Sequence, residues 1–149
     1  MSSMFPPQAD SAGETALPPA VVVHGLEHAL AALAQGLPIT LLSAPGAGAF
    51  AGALWWRELV AQARAAHPAI PCTDILDCAD APGRAMAAIR AGQAILVLDP
   101  ACPAFARVAS LARVLPARPA ALDLGLRGAE RQLRPWLRGA TDDSIAPLR

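Results

Sequence analysis

From residue 20 onward, short apolar runs rich in β-branched residues alternate with segments in which apolar residues recur every three or four positions. The apolar runs predict five strands, at 20–24, 38–43, 72–77, 94–99 and 119–123. The segments between and after them predict helices at 25–35, 48–66, 81–91, 103–115 and 126–138. In the first helix, for example, Leu26, Leu30 and Leu33 fall on one face.

Nearly continuous apolar strands separated by helices predict a parallel sheet that is covered on both faces. A parallel five-stranded (βα)5 unit of this kind allows two α/β architectures, a partial TIM-type barrel or a flavodoxin-like open sheet. In both, functional residues lie at the carboxyl ends of the strands. We predict one α/β domain over 19–139, a mobile N-terminal tail over 1–18 and a C-terminal tail over 140–149, because the first 18 residues mix Pro, Ser, Gly and charges without periodicity.

Individual residues sharpen the predicted boundaries. Asp80 precedes Ala81-Pro82, an arrangement that predicts a capping carboxylate and an early proline at a helix start. Gly36 and Gly92 follow predicted helices, where a C-terminal glycine is common. Trp55 and Trp56 are adjacent on one helix, so they cannot both face the sheet and one is expected to be partly exposed.

Charge and composition exclude several classes of partner and chemistry. The 149 residues contain twelve acidic and twelve basic residues, all of the latter arginine, so neither a nucleic acid nor a membrane is expected as partner. The absence of lysine excludes Schiff-base chemistry and a P-loop lysine. Three cysteines without paired spacing are expected to be reduced thiols. Without a signal-peptide pattern or a long apolar run, a cytoplasmic location is the default expectation.

Polar residues follow the predicted strands at what would be one rim of the sheet: His24, Ser43, Asp77, Cys78, Asp99 and Asp123. Carboxylates, an imidazole and a thiol on one rim could bind a metal or hold a base with a perturbed pKa. The ordinary alternatives are turn formation by Asp99, which precedes Pro100, and burial of Cys78 as a small apolar residue. His24 and Asp77 can likewise be structural or functional.

The loop SAPGAGAFAG (43–52) joins the second strand to its helix. Its backbone amides, near Ser43, Gly46 and Gly48, could hold an anion at a helix N-terminus. The match to a dinucleotide-binding fingerprint is poor, and close helix–strand packing is the preferred explanation of the glycines.

Three stretches carry a family resemblance: VVVHGLEHALAALAQGLPITLLSAPGAGAFAG (21–52), HPAIPCTDILDCADAPGRAMAAIRAGQAILVLDP (67–100) and PAALDLG (119–125). The first resembles the opening strand, "NLEQ" helix and "S-x-GA-x-x-Y-x-G" loop of class II fructose-bisphosphate aldolases. The second is similar to that family's "P-V-x-x-H-L-D-H-G" strand, "A-I-x-A-G-F" helix and "V-M-I-D" strand. The third resembles its "V-E-A-E-L-G" segment. In order and spacing, the resemblance covers the family's first five β/α units.

The resemblance implies roles for particular residues. In that family the Asp of "D-H" transfers a proton and the adjacent His binds zinc; Asp77 matches the first, and Cys78 stands in place of the second. Asp123 matches the second acid of "V-E-A-E-L-G", whereas Ala121 replaces the first. The family's other zinc-binding histidines and its substrate-phosphate loop belong to later strands, and we expect this chain to lack them.

The leading hypothesis is therefore a noncatalytic, aldolase-like α/β protein with a binding, scaffolding or regulatory role and no cofactor. The alternative is a metal-dependent lyase in which two chains pool Asp77, Cys78, His24 and Asp123 around zinc. Exposed strand edges would favour a homodimer in either case, and a small phosphorylated ligand is a further possibility. A receiver-like regulator is disfavoured because that class needs a lysine after the fifth strand.

Overall fold

The computed structural model describes residues 17–139. Its strands are β1 (Ala20–Val23), β2 (Ile39–Ser43), β3 (Cys72–Asp77), β4 (Ile95–Val97), β5 (Arg113–Leu115) and β6 (Ala121–Asp123). Its helices are α1 (Leu26–Leu33), α2 (Ala47–Phe50), α3 (Ala53–Ala66), α4 (Pro82–Arg90), α5 (Phe105–Ala109) and α6 (Leu133–Leu137), with a 3₁₀ helix at Ala129–Gln132. Residues 1–16 of the tail predicted over 1–18, and the whole tail predicted over 140–149, lie outside the described residues.

The six strands form one open, parallel sheet in the order β5-β4-β3-β2-β1-β6. The first five strands lie side by side in chain order, and β6 pairs with the free edge of β1. The α/β class and the open parallel sheet are thus confirmed. None of the helices in residues 17–139 is both long and apolar enough to span a bilayer.

One face of the sheet carries the helices. The helices α1, α3, α4 and α5 contact one another in that sequence, which makes a single layer. The main core lies between this layer and alternate strand residues, such as Val21, Leu41 and Leu76. Right-handed crossovers explain the arrangement, because strands added stepwise in one direction place every connecting helix on the same face.

The opposite face is buried without helices in the described part of the chain. Its core consists of five strand residues, with further apolar residues packed against them: Val22, Leu42, Ile75, Ile95 and Val97, contacted by Leu17, Leu115 and Ala121. The prediction that both faces are covered is therefore correct, although helices cover only one of them. Leu17 and Pro18, which we assigned to the tail, contact the sheet at this face, where the Thr40 hydroxyl donates a 2.8 Å hydrogen bond to the Pro18 carbonyl.

A short connector, residues 116–120, joins the two edge strands. The six Cα–Cα steps from Leu115 to Ala121 reach about 21 Å when fully extended. Five strand spacings across a flat sheet would already separate β5 from β6 by about 24 Å. The sheet must therefore coil, so that its two edges approach one another across the helix-free face.

The strand count and several predicted helices need correction. The sheet has six strands instead of five, because Arg113–Leu115, predicted as the end of a helix, pairs with β4. The segment predicted as a helix over 48–66 divides at Gly52, whose φ of 93° interrupts the helix. The last predicted helix, 126–138, is a 3₁₀ turn followed by the short α6. At Arg113–Leu115, pairing at the edge of the sheet outweighed the local helical pattern. In the segment 48–66, the backbone conformation of Gly52 interrupted that pattern.

The predicted helix ends are largely correct. Pro82 opens α4 as predicted, but the helix is capped by Ala81 and the carboxylate of Asp80 makes no capping hydrogen bond, so that part of the prediction is wrong. Gly36 and Gly92 follow α1 and α4 with φ of 79° and 99°, as expected of C-terminal glycines.

Candidate functional site

The carboxyl ends of the parallel strands bring four of the predicted site residues to one edge of the sheet. His24 follows β1, Ser43 ends β2, Asp77 ends β3 and Asp123 ends β6. These strands pair in register across β6, β1, β2 and β3, so the four residues form a continuous row along this edge.

Asp77 is buried at this edge, and both its carboxylate oxygens and its backbone N–H have partners. Its Oδ2 lies 2.6 Å from Nη1 of Arg118, and its Oδ1 accepts a 2.8 Å hydrogen bond from the Ala79 amide. Its own backbone N–H donates to Oγ of Ser43 at 3.0 Å. Ala79 adopts a φ of 53°, a left-handed conformation that costs energy for a residue with a side chain. The carboxylate is therefore held in place by a cation and a turn.

Ser43 is fully buried and satisfied within the protein. Its hydroxyl donates to the Ala44 carbonyl at 3.1 Å while its oxygen accepts the Asp77 amide. The structure thus gives Ser43 a positioning contact to Asp77, and the hydroxyl has no direct route to a ligand.

A cleft of about 450 Å³ opens above the ends of β3 and β4. It is lined by acidic residues, by the connector and by one apolar strand residue: Asp77, Ala79, Asp80, Val97, Asp99, Pro100, Pro116, Ala117 and Arg118. Asp80 and Asp99 are exposed, whereas Asp77 forms the floor with Arg118. The volume falls within the range of small-molecule sites.

Asp99 has the turn role that the sequence indicated. Its Oδ1 accepts a 2.9 Å hydrogen bond from the Ala101 amide, and its backbone N–H donates to the Ala79 carbonyl at 2.8 Å. One carboxylate oxygen remains directed away from this turn contact, so the turn does not by itself prevent Asp99 from contacting a ligand.

His24 and Asp123 form a pair at the β1–β6 end of the same edge. Nε2 of His24 lies 2.7 Å from Oδ1 of Asp123, which also accepts the Gly125 amide at 2.8 Å. Partial burial acts to raise the pKa of Asp123, but the hydrogen bonds from His24 and Gly125 and the charge of Arg118 bring it below the ordinary value. Because an ionised carboxylate only accepts hydrogen bonds, the proton of His24 is on Nε2.

The second imidazole at this end is also oriented. Nδ1 of His28 accepts a 3.0 Å hydrogen bond from the His24 backbone amide, and the two rings meet edge to face at 5.5 Å. Gly125 gives the His24 ring its space, since a Cβ there would stand 2.8 Å from Nε2. The arrangement therefore fixes the orientation of the His24 ring through the contact of its Nε2 with Asp123.

Cys78 is separated from this row. Consecutive strand residues point to opposite faces, so Cys78 faces the helix layer while Asp77 faces the cleft. Its thiol is fully buried, and burial, with the nearby charge of Asp77, raises its pKa to about 11. Within residues 17–139, no group of three or more His, Cys, Asp or Glu side chains is arranged to hold a metal ion.

The glycine-rich loop packs against β3. A Cβ at Gly48 would lie 2.8 Å from Sγ of Cys78 and 3.1 Å from the Asp77 carbonyl oxygen. Gly46 has a φ of 72° and is the N-cap residue that precedes the four-residue α2. Close helix–strand contact therefore accounts for Gly48, and turn geometry accounts for Gly46. The anion-binding role of the loop stays a prediction.

Arg118 and Asp74 were not singled out by the sequence patterns. Arg118 lies in the connector PARPA, and no local signal links it to a strand end 41 residues earlier. Asp74 is a charged residue inside an apolar strand and shares the helix-facing parity of Leu76, so the alternation along CTDILD did contain a signal for a buried polar partner.

Comparison with models of known protein families finds no match, and comparison with curated proteins finds no similar sequence. The α/β fold and the geometry of the carboxyl edge are therefore the observations on which a function can be argued.

Proposed function

We propose that the chain is a noncatalytic, degenerate relative of class II fructose-bisphosphate aldolases that acts by binding, with the cleft above β3 and β4 as its ligand site. The stepwise order of β1 to β4 supports the relationship, because neighbouring strands of a barrel follow one another in chain order. The segment PAALDLG departs from that order, since its strand β6 pairs with β1. The position of Asp77 at the carboxyl end of β3 supports it too, since the resemblance requires a carboxylate there.

The state of the Asp77–Cys78 pair carries the noncatalytic part of the proposal. Proton transfer needs a carboxylate within reach of substrate, whereas both oxygens of Asp77 are held by Arg118 and the Ala79 amide. Cys78 lies on the other side of the strand, in contact with the helix layer. A binding role needs neither proton transfer by Asp77 nor a metal ligand at Cys78.

The charge of the cleft indicates the class of ligand. Three carboxylates line it, at Asp77, Asp80 and Asp99, against the guanidinium of Arg118, which is already paired with Asp77. A negative lining repels phosphate and favours a small ligand that bears amine or hydroxyl groups. The charge of the cleft thus favours such a ligand over the small phosphorylated ligand considered from the sequence.

A cleavage assay tests the noncatalytic part. Purified protein is incubated with fructose 1,6-bisphosphate, with and without added Zn²⁺, and triose phosphate is followed by a coupled dehydrogenase. We expect no release above that of a protein-free control. Cleavage that disappears in an Asp77→Ala variant would overturn the proposal.

A binding assay tests the cleft. Calorimetric titrations with putrescine, sorbitol and inorganic phosphate should give heat with putrescine or sorbitol and none with phosphate. Asp80→Asn/Asp99→Asn should weaken that binding about tenfold or more, because charged hydrogen bonds are each worth about 1.5–3 kcal/mol. Glu130→Gln, an exposed acid outside the cleft, is the matched control. Binding of phosphate, or binding that the paired substitution leaves unchanged, would contradict the assignment.

One observation favours the alternative, a metal-dependent lyase completed across a homodimer. The His24 ring is oriented by an ionised carboxylate, as metal-binding and proton-accepting imidazoles commonly are. The burial of Cys78 argues against its share in such a site. The cleavage assay with added Zn²⁺ distinguishes the two functions.

A further inference from the structure

The outer face of the helix layer carries three large apolar side chains close together in the chain. Phe50 at the end of α2 is 72% exposed, and Leu54 and Trp55 in the first turn of α3 are 77% and 38% exposed. Trp56 is fully buried in the core, which confirms that only one of the adjacent tryptophans faces inward. A cluster of this kind on a surface marks a site of interaction.

A groove lies on each side of the ridge formed by Leu54 and Trp55. The groove between α3 and α4 has a volume of about 490 Å³, and Arg84 and Arg90 line it together with Leu54. The groove between α1 and α3 has a volume of about 240 Å³, and its lining includes Trp55 and Glu58. An apolar ridge therefore separates a basic groove from an acidic one.

We propose that this face binds the same face of a second copy of the chain, in a dimer with two-fold symmetry. A two-fold axis through the ridge turns the basic groove of one protomer towards the acidic groove of the other, as an isologous contact requires. Arg84 and Arg90 then contact Glu58 of the partner subunit, and the two-fold axis generates the same contact a second time with the two subunits interchanged. The ridges of the two copies pack against each other at the centre.

Charge complementarity selects a second copy as the occupant. A partner with an acidic surface would match the basic groove but would be repelled by the groove at Glu58, and a basic partner would meet the reverse problem. A surface that carries both signs on either side of an apolar centre is complementary to itself. This inference is independent of the ligand cleft, which opens at the carboxyl edge of the sheet.

Sedimentation velocity over a concentration series tests the apolar centre. The wild-type chain should dimerise, and Leu54→Glu should raise the dimer dissociation constant about 30-fold or more, as expected for a buried central residue. Leu111→Glu is the matched control, because Leu111 is also exposed but lies between α5 and β5, away from the ridge. A monomeric wild type, or equal dimerisation of both variants, would overturn the proposal.

A charge exchange tests the symmetry and does not depend on how Leu54→Glu folds. Arg84→Glu/Arg90→Glu makes both grooves acidic, and Glu58→Arg makes both basic, so each variant alone should be monomeric. An equimolar mixture should restore a dimer that contains one chain of each kind. Failure of the mixture to associate, with both variants folded by circular dichroism, would refute the two-fold contact.

Discussion

Asp74 is a charged residue in the middle of a buried strand, and four side-chain donors surround it. Nε1 of Trp56, Nε2 of Gln93 and Nη1 of Arg57 lie 2.9, 2.8 and 3.0 Å from its Oδ2, and Nη2 of Arg64 lies 3.0 Å from its Oδ1. Three of the donors come from α3, so this one carboxylate attaches that helix to β3. These hydrogen bonds join the sheet to the helix layer at the scale of single residues.

We expect Asp74→Ala to lower the free energy of unfolding by about 3–5 kcal/mol, because it leaves the Trp56 N–H and two guanidinium groups without their shared acceptor. Urea denaturation followed by circular dichroism measures the change. Asp80→Ala removes a carboxylate that is exposed, so its effect should stay within about 0.5 kcal/mol. Equal effects of the two substitutions would show that the cluster around Asp74 contributes little.

At the scale of elements, the contact of α2 with β3 depends on the missing side chain of Gly48. Its Cα approaches Leu76, Asp77 and Cys78 so closely that an added Cβ would lie within 3.2 Å of each of them. One of the contacting atoms is the backbone oxygen of Asp77, which cannot move without disturbing the strand that carries the cleft.

Gly48→Ala should therefore destabilise the protein by about 1–3 kcal/mol, the usual cost of overpacking. Gly83→Ala in α4 is the control. Apart from its chain neighbours and the backbone of its own helix, no atom lies within 4 Å of the added Cβ, so a gain of about 0.5–1 kcal/mol is expected from helix propensity. Cys78→Ala should restore part of the loss in the double variant. Thermal unfolding of the wild type, Gly48→Ala, Cys78→Ala and the double variant measures the coupling energy between the two positions. A Gly48→Ala variant as stable as the wild type would disprove the close contact.

For the whole molecule, the decisive feature is the return of the chain from β5 to β6 through five residues. The connector draws the two edges of the sheet together over the helix-free face, and Arg118 within it binds Asp77 at the end of β3. The same guanidinium helps to lower the pKa of Asp123 beyond β1. One arginine thereby links the two ends of the carboxyl edge.

Arg118→Ala should cost about 1–3 kcal/mol of stability, because a buried carboxylate oxygen loses its donor. Arg127→Ala, at an exposed arginine that follows β6, should have a negligible effect. The double variant Asp77→Ala/Arg118→Ala should lose less unfolding free energy than the sum of the losses in the two single variants. Strict additivity in a denaturation experiment would indicate that the 2.6 Å contact has no energetic weight.

Local sequence patterns were sufficient to predict those elements in which buried positions recur with the period of a strand or a helix. The first four strands, the helices α1 and α4 and the exposed position of one tryptophan follow from apolar runs, 3.6-residue spacing and glycine or proline signals. The opposite orientation of Asp77 and Cys78 was also implicit, since neighbouring strand residues alternate between faces. β5 was not predictable in this way, because three residues carry no period and their strand conformation depends on pairing with β4.

The α/β class, the parallel sense of the sheet and the row of polar residues at its carboxyl edge follow from the sequence, because they depend on local periodicity and on the alternation of strands with helices. The strand order, the coiling of the sheet and the contacts between site residues depend on the tertiary structure. His24 meets Asp123 across 99 residues, and Arg118 meets Asp77 across 41. Such contacts arise from how strands pair and how a short connector crosses the sheet, which no local pattern encodes.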